Sequence, residues 1–330
     1  MQIYCPAQLD DEQAARYINE FWRAREEPEL VLNFSTLRFV YPAGALILAL
    51  GARDMVRQRA HLNLGTHVNG HQTPRSACSY LMHFGFFQFI GVDQGNPIGV
   101  APGSRSYLPI TRIGHEDFRE DGVVIQEQIT RHSARLTTVL YPREADFSRA
   151  DMLTFCLREI IRNVFEHSQA RECFVMAQRW NTGLAEITIA DEGVGIPYTL
   201  SQAHNVTSSR SALRMALMPG ISRITDPVND DKWQNSGFGL YVVSEVGKRL
   251  GSFSILSNGA MLHRTQEADS WLATPSRGTV VKLRANTNDA EYFPNLLQNI
   301  VNEGELLAKQ IPGARPSASK GSRLVDPILW

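Results

Sequence analysis

Apolar and polar positions follow helical spacing in some parts of the chain and strand-like spacing in others. Residues 8–26 carry apolar side chains at helical spacing, which predicts an amphipathic helix. Residues 30–34 form a short apolar run that is typical of a strand, and residues 45–55 are rich in helix formers. Pro42 stands just before this second helix, where its missing N–H would have no intrahelical partner. The first third of the chain therefore predicts a small α/β domain.

The second half of the chain shows the same two periods. Residues 151–168 have a helical pattern with one apolar stripe. Ile187 and Ile189 alternate with polar residues, as in a strand with one buried face, and residues 277–283 predict a further strand. We expect residues 107–110 to form an edge strand that ends the first domain. The fold class is α/β (α+β), and the pattern divides the chain into an α/β domain over residues 1–112, a connector over 113–144, a second α/β domain over 145–290, and a C-terminal helix with a mobile tail over 291–330.

Composition narrows the classes of partner. The 330 residues carry a net charge of -1, which gives no long-range attraction to nucleic acid or to an anionic membrane. None of the four cysteines forms a C-x-x-C pair, so neither a disulfide framework nor a cysteine-based zinc site is indicated. The longest apolar run, residues 43–52, is too short to span a bilayer, and the N-terminus lacks a signal pattern. We expect a cytoplasmic protein that binds neither nucleic acid nor membrane.

Three polar residues share one edge of the helix predicted at residues 151–168. With about 100° of rotation per residue, Glu159, Asn163 and His167 lie within one quarter of the circumference. They border the apolar stripe, so a carboxylate, an amide and an imidazole can face a cleft. A surface helix that merely carries polar residues is the alternative. The same rotation predicts that three charged residues face away, namely Arg158, Arg162 and Glu166.

Two glycine-rich segments follow this helix. Asp191 ends the strand that contains Ile189, and Gly193 and Gly195 come directly after it. Glycine allows a sharp turn and a close approach to a ligand, but an ordinary tight turn needs the same residues. A second segment opens a helix with Gly237, Phe238, Gly239 and Leu240. Free N–H groups at a helix N-terminus suit a phosphate. A helix start that needs glycine for packing is the alternative.

These segments, taken with the pair Gly278-Thr279, resemble the four ATP-binding boxes of the GHKL superfamily. This superfamily joins DNA gyrase, heat-shock chaperones, histidine kinases and mismatch-repair ATPases. The resemblance rests on the order Glu-x3-Asn-x3-His, Asp-x-Gly-x-Gly, Gly-x-Gly-Leu and Gly-Thr, and it covers about residues 145–285. It implies a two-layer α/β sandwich in which a mixed β-sheet is covered on one face by helices. ATP lies between the layers in this family, beneath a flexible lid.

The resemblance also implies roles for residues of the first box. Asn163 matches the position that ligates Mg²⁺, for which an amide oxygen is a suitable donor. Glu159 matches the position that activates the attacking water or hydroxyl, so it is the candidate general base. His167 matches a basic position that is common in the family.

The remaining boxes supply the expected contacts with the nucleotide. Asp191 is expected to accept a hydrogen bond from the adenine amino group, and Thr279 to assist through water. Gly193 and Gly195 are expected to let the backbone pass close to the nucleotide. The backbone N–H groups of one segment are expected to contact the phosphates; this segment comprises Gly237, Phe238, Gly239 and Leu240.

The expected ATP lid lies between the second and third boxes, at about residues 198–236. Its basic residues are the candidate contacts of the γ-phosphate, because a lid that closes over phosphate needs a cation. They are Arg210, Arg214, Arg223 and Lys232, and the sequence does not rank them. Gyrase-like members take a further lysine from a following domain. Only a short tail follows here, so we do not expect strong intrinsic hydrolysis.

Two further features, Glu159 and His132, indicate which branch of the family the chain resembles. A glutamate at position 159 resembles the hydrolysing members and the serine kinases that control anti-sigma factors, whereas histidine sensor kinases more often carry an amide. His132 lies too close to Asn163 for a sensor-kinase phosphoacceptor.

In the first domain, residues 30–35 and 38–44 resemble the core of STAS domains. Tyr41 and its neighbours replace the usual acceptor serine, so a contact or sensing role is expected, with a generic α/β domain as the alternative.

The leading hypothesis is a Mg²⁺-dependent, ATP-binding signalling protein with slow hydrolysis, whose nucleotide controls the lid and the contacts with a protein partner. The alternative is a protein kinase that transfers the γ-phosphate to a Ser or His of a partner. A third reading is an interaction module with a vestigial site, against which the intact boxes argue. The sequence also allows a homodimer, and it allows the terminal residues Ile328–Trp330 to dock on the chain or on a partner.

Overall fold

The structure is a computed structural model that describes residues 1–72, 77–141, 147–222 and 236–323. The first elements form what we call the N-terminal unit, which runs from residue 2 to residue 89. Its strands and helices are β1 (Gln2–Tyr4), β2 (Gln8–Leu9), α1 (Asp11–Arg23), β3 (Glu29–Asn33), β4 (Phe39–Val40), α2 (Pro42–His61), β5 (Gly65–Asn69), α3 (Ala77–His83) and α4 (Phe86–Phe89).

The N-terminal unit contains a parallel sheet in the order β1-β3-β5 and a separate parallel pair, β2 and β4. Helix α1 begins where the carboxylate of Asp10 accepts the N–H of Gln13 at 2.8 Å, as an N-cap residue does. Helix α2 begins at Pro42, as the sequence predicts. Helix α1 lies between β1 and β3 in the chain, and α2 lies between β3 and β5, so each helix connects two strands that pair in parallel.

The second group of elements begins at residue 107. It comprises β6 (Tyr107–Gly114), α5 (Ile125–Leu140), α6 (Phe147–His167), β7 (Glu172–Arg179), β8 (Leu184–Asp191), α7 (Gly195–Ser201), α8 (Ser209–Ala216), α9 (Gly239–Leu250), β9 (Gly251–Thr265), β10 (Asp269–Asn286), α10 (Phe293–Ala308) and α11 (Lys320–Arg323), with short 3₁₀ helices at His115–Asp117 and Thr287–Tyr292. Among the described residues, no helix is long and apolar enough to cross a membrane.

Five of these strands form one sheet in the order β6-β7-β8-β10-β9. Each neighbouring pair is antiparallel, so the sheet is not the mixed one that the sequence predicts. The reason is that β7–β8 and β9–β10 are hairpins, and β10 lies against β8. The sequence also assigns residues 107–110 to the end of the first domain. The structure instead pairs Tyr107 with Gln178 of β7, so β6 is an edge strand of this second sheet.

Both faces of the five-stranded sheet are covered by helices. On the front face, Ile187 and Leu283 belong to the same hydrophobic core as residues of α6, α9 and α10. On the back face, Met176 and Val280 share a core with residues of α1 and α2, including Leu46. The two-layer sandwich therefore describes the C-terminal elements alone. The N-terminal unit adds a further layer behind the sheet.

Charged side chains are buried between the sheet and the N-terminal unit. Lys282 donates to the carboxylate of Asp11 at 2.7 Å, and the side chains of both residues are almost fully buried. Glu186 accepts the N–H of Ala43 at 2.9 Å, in the first turn of α2, and it also accepts from Arg284 at 2.7 Å. The alternating pattern around Ile187 predicts one buried face. That prediction is wrong, because partners from the N-terminal unit allow the polar face to be buried too.

Residues 311–323, which we call the C-terminal segment, fold back from α10 onto the rest of the chain. The sequence predicts a mobile tail here, whereas Gly321 and Ser322 are buried in the structure. The segment is held in part by Glu305, which accepts the N–H of Ala318 at 2.9 Å and pairs with Arg323. Residues 328–330, for which the sequence suggests docking, lie outside the described residues.

Candidate functional site

A cleft that is partly open to solvent lies between α6, α7, α9 and the ends of β8 and β10; its empty volume of about 990 Å³ includes open solvent. Most of the residues that the sequence singles out line it, namely Glu159, Asn163, His167, Asp191, Gly195, Gly237, Gly239, Leu240 and Thr279. Gly193 and Phe238 do not line it. The fold thus gathers side chains from four separate segments around one space.

One end of the cleft, which we call the acid end, is built by β8 and β10. The register of these strands places Asp191 directly opposite Thr279. Asp191 is only 3% exposed, and burial raises the pKa of its carboxyl to about 7, although hydrogen bonds from Gly193 and Ser168 favour the charged form. A buried carboxyl group with a raised pKa at the wall of a cleft is typical of a ligand-binding group.

A serine that the sequence did not reveal supports the acid end. The Ser257 hydroxyl lies 3.0 Å from that of Thr279 and accepts the N–H of Ile196 at 3.0 Å. The next residue, Asn258, donates to the carbonyl of Val194 at 2.7 Å and so holds the loop after Asp191. These residues lie in strand β9 and carry no local motif, so only the packing of β9 against β10 brings them to the site.

The glycines near Asp191 serve the packing of the chain. Gly278 has φ +75°, and a Cβ there would lie 1.9 Å from the carbonyl oxygen of Asp191. Gly193 donates its N–H to the carboxylate of Asp191 at 2.8 Å, and a Cβ on Gly193 would lie 2.2 Å from the carbonyl oxygen of Ser168. Gly193 is therefore needed for close contact with Ser168, which explains why it does not face the cleft.

Asn163 and His167 stand one helical turn apart on α6, and both line the cleft. The side-chain nitrogen of Asn163 is buried, and it has no hydrogen-bond partner among the described residues. A buried polar atom without a partner is costly, so an unsatisfied amide at the wall of a cleft points to a ligand. This observation favours a functional row of side chains over the plain surface helix that the sequence left open.

Glu159 is buried, with 4% of its surface exposed, and it lies in an ion-pair network. Arg158 donates to its carboxylate from Nη2 at 2.9 Å and from Nε at 3.1 Å, and Arg162 Nη1 lies 3.6 Å away. Arg162 also pairs with Glu166 at 3.1 Å. The carboxylate of this candidate base therefore forms ion pairs with two guanidinium groups.

The prediction that Arg158, Arg162 and Glu166 face away from the cleft is wrong in part. Arg162 and Glu166 line it, and Arg158 and Arg162 are only 2% and 4% exposed. Neighbouring elements cover this side of α6: Gln126 of α5 bonds to Glu166, and the carbonyl of Gly321 accepts from Arg158 at 2.6 Å. Helical rotation alone could not reveal these two neighbours.

The opposite end of the cleft, which we call the helix end, is the N-terminus of α9. Phe238 is fully buried in the hydrophobic core and so anchors the first turn, while Gly237 adopts φ +73°. A Cβ on Gly239 would lie 2.3 Å from Oε2 of Glu159, so glycine allows the carboxylate to approach α9. The N–H groups at such a terminus favour an anion.

The expected lid cations do not reach the cleft where they are described. The guanidinium groups of Arg210 and Arg214 lie 4.7 and 5.3 Å from the ring centroid of Trp271, and neither residue lines the cleft. Arg223 and Lys232 lie outside the described residues. Ser322 of the C-terminal segment does line the cleft, and nothing in the local sequence pattern indicated it.

Comparison with known proteins identifies the class of the second domain. Residues 148–288 match the family model described as "Histidine kinase-, DNA gyrase B-, and HSP90-like ATPase". The match supports the GHKL resemblance and indicates an ATP-binding domain whose family includes ATPases and kinases. It does not extend to the N-terminal unit, so the STAS-like likeness stays a prediction. No curated protein matches the chain.

The residues at the helix end fit the magnesium ion that such domains generally use with ATP. Among the described residues, no group of three or more His, Cys, Asp or Glu side chains could hold a metal by itself. Mg²⁺ commonly takes one or two protein ligands and completes its shell with water and substrate phosphates. Asn163 lines the cleft, and its side-chain oxygen could serve as such a ligand for a metal ion that arrives with a triphosphate.

Proposed function

We propose that the protein binds ATP with Mg²⁺ in this cleft and acts as a nucleotide-dependent regulatory protein with slow hydrolysis. The observation that carries the proposal is the difference between the two ends of the cleft. The acid end offers the buried carboxyl group of Asp191 beside a hydroxyl group. The helix end offers the N-terminus of α9, and Asn163 lines the cleft one helical turn from Glu159, whose carboxylate contacts Gly239 of α9. ATP has two matching parts: the adenine presents an amine that suits the acid end, and the triphosphate presents negative charge that suits the helix end.

Each end then has a defined task. At the acid end, Asp191 accepts a hydrogen bond from the exocyclic amine of adenine, and Thr279 binds a water molecule beside the ring. At the helix end, the backbone N–H groups of Gly237, Gly239 and Leu240 face the phosphates and Phe238 anchors this turn in the core, while Asn163 would hold the metal ion through its amide oxygen. His167, which lines the cleft one turn beyond Asn163, borders the bound nucleotide. The metal supplies charge neutralisation of the phosphates when it is bound.

The surroundings of Glu159 leave it one oxygen for the role of general base. A general base must have a free oxygen within hydrogen-bond reach of the nucleophile. One oxygen of Glu159 accepts from Arg158, whereas Oε2 lies near Gly239 at the helix end. Glu159 thus keeps one oxygen for a nucleophile, while ion pairs with Arg158 and Arg162 hold the other oxygen in place.

A second candidate function is a protein kinase that transfers the γ-phosphate to a serine of a partner protein. The observation that favours it is that a serine side chain, that of Ser322, already lies in the wall of the cleft. The cleft therefore accepts a hydroxyl group on the same side as Glu159. A histidine acceptor has no comparable observation in its favour, and His132 lies on α5, outside the residues that line the cleft.

Isothermal titration of the full chain with ATP and Mg²⁺ tests the proposal. We expect saturable binding, and we expect Asp191→Asn to weaken it by roughly 10- to 100-fold, because a hydrogen bond to a charged acceptor contributes about 1.5–3 kcal/mol. GTP, which presents a carbonyl where ATP has the amine, serves as the matched ligand control. No binding of ATP, or equal binding of ATP and GTP that Asp191→Asn leaves unchanged, would contradict the proposal.

A further inference from the structure

The C-terminal segment forms part of the wall at the helix end of the cleft. The N–H of Arg315 donates to the carbonyl of Gly220 at 2.9 Å, and the N–H of Gly220 donates to the carbonyl of Gly237 at 3.2 Å. A Cβ on Gly220 would lie 2.3 Å from the carbonyl oxygen of Arg315, so the two backbones are in close contact. Ser236 adds a hydroxyl contact to Ser319 at 3.4 Å. The segment is thus fixed beside the glycine that opens α9.

Ser322 is the residue of this segment that lines the cleft. The carbonyl of its neighbour Gly321 accepts from Arg158 at 2.6 Å, and the same nitrogen of Arg158 donates to Glu159 at 2.9 Å. A single guanidinium group therefore connects the backbone beside Ser322 to the candidate base. Ser322 is 2% exposed, so an external enzyme has little access to its hydroxyl group.

We propose that Ser322 is phosphorylated by the ATP bound in its own chain, an inference that rests on the proposed function. The Ser322 oxygen attacks the γ-phosphorus, and the bond between that phosphorus and the oxygen bridging to the β-phosphate breaks. ADP leaves with the bonding electrons, and the hydroxyl proton passes to the carboxylate of Glu159. The products are phosphoserine, ADP and a protonated Glu159 that returns its proton to solvent.

The C-terminal segment contains two other serines, and neither has the position of Ser322. Ser319 contacts Ser322 through their hydroxyl groups at 3.2 Å, but it does not line the cleft. Ser317 is exposed and lies in the same stretch of chain. Position in the cleft, and not mere proximity in sequence, selects Ser322. Its own hydroxyl contact is to Ser319, an uncharged partner that a phosphoryl acceptor can release at modest cost.

The experiment incubates the full chain with Mg²⁺ and ATP and then locates phosphate by mass spectrometry. Cleavage after glutamate releases residues 306–330, which contain Ser317, Ser319 and Ser322, and fragmentation assigns the position. We expect phosphate on Ser322, its loss in Ser322→Ala, and its retention in the matched variant Ser317→Ala. Glu159→Gln is expected to slow the labelling by about 100-fold or more, as the loss of a general base does.

A mixing experiment tests whether the transfer stays within one chain. Glu159→Gln protein grown with heavy isotopes is incubated with unlabelled wild type, and only the unlabelled chain should carry phosphate. Transfer to the heavy chain would contradict a reaction in the same molecule. The titration with ATP is repeated on the same sample. Bound ATP without phosphate on Ser322, or with phosphate only on Ser317 or Ser319, overturns this inference alone, whereas absence of ATP binding overturns the proposed function.

Discussion

The two faces of the five-stranded sheet are both buried, yet one is stabilised by apolar packing and the other by paired charges. Ile187 and Leu283 point to the front and pack among apolar residues beneath α6 and α9. Glu186 and Lys282, their sequence neighbours, point to the back and are at most 1% exposed, and their charges are met by the N-terminal unit. Alternation along a strand thus reveals which residues share a face. It does not reveal whether the polar face meets water or another layer of the protein.

This difference connects the N-terminal unit to the cleft. Strand β8 ends in Asp191 and strand β10 carries Thr279, so the acid end stands on the same two strands that hold Glu186 and Lys282 on their back face. The N-terminal unit therefore supports the strands that position the acid end. A substitution on the back face tests how strongly the two layers depend on each other.

The largest effect is expected from Lys282→Ala. It removes the cation from a buried pair and leaves Asp11 charged at an almost fully buried position. Breaking such a pair costs about 3–5 kcal/mol, because the remaining charge has lost both water and its buried cation, although Ser254 and His263 still contact its carboxylate. Urea unfolding measures the loss. The matched control is Glu303→Ala, which breaks the more exposed pair with Arg249 and should cost less than about 1 kcal/mol. Equal losses in the two variants would show that the back face is accessible to water.

The two buried acids, Asp191 and Asp11, should change the stability of the protein with pH in opposite directions. Burial raises the pKa of Asp191 to about 7 from 3.8, so the folded state binds this proton more tightly than the unfolded chain. Asp191 therefore makes the protein less stable as the pH rises from about 4 to about 7, by at most about 1.4 kcal/mol per pH unit. Asp191→Asn should remove this slope. Unfolding free energies of both proteins across this range are the measurement.

Asp11 on the back face should respond in the opposite direction. Burial alone would raise the pKa of its carboxyl, but Lys282 and His263 lower it well below the ordinary value. The stability that Asp11 contributes is therefore complete above an unfolded-state pKa of about 3.9 and is lost only as the pH falls below that value. In the Asp191→Asn protein, a decline in stability that persists between pH of about 4 and about 7 would contradict the assignment to Asp191.

Local motifs were sufficient to find most of the cleft. The residues from Glu159 to His167 share one helix, and those from Gly237 to Leu240 occupy one helix start, so each group is fixed by neighbours in sequence. The strand that ends in Asp191 and the strand over residues 277–283 were predicted as well, whereas the closeness of Asp191 and Thr279 was implied by the family resemblance. The helix beginning at Pro42 and the site residues within each segment could be predicted because short-range geometry determines them.

What the sequence did not reveal depends on partners far along the chain. Asp11 and Lys282 stand 271 residues apart, and Arg158 reaches Gly321 across 163 residues. The helical or strand-like spacing of residues does not indicate such pairs, because each of these side chains alone looks like an ordinary surface charge. The same reason explains why β6 was placed in the first domain. An edge strand is defined by the strand it pairs with, and β7 begins more than fifty residues after β6.

The smallest expected effects come from two adjacent residues on opposite faces, each replaced by valine. On the front, Ile187→Val removes one methylene from a packed core and should cost about 0.5–1.5 kcal/mol. On the back, Thr188 is fully buried, and its hydroxyl has no hydrogen-bond partner among the described residues. Thr188→Val keeps the shape and removes an unsatisfied polar group, so a gain of up to about 1 kcal/mol is expected. Changes of opposite sign in urea unfolding would show that the back face is stabilised by its paired charges and not by polarity as such. A loss at both positions would mean that the hydroxyl of Thr188 has a partner in solution, such as a buried water molecule.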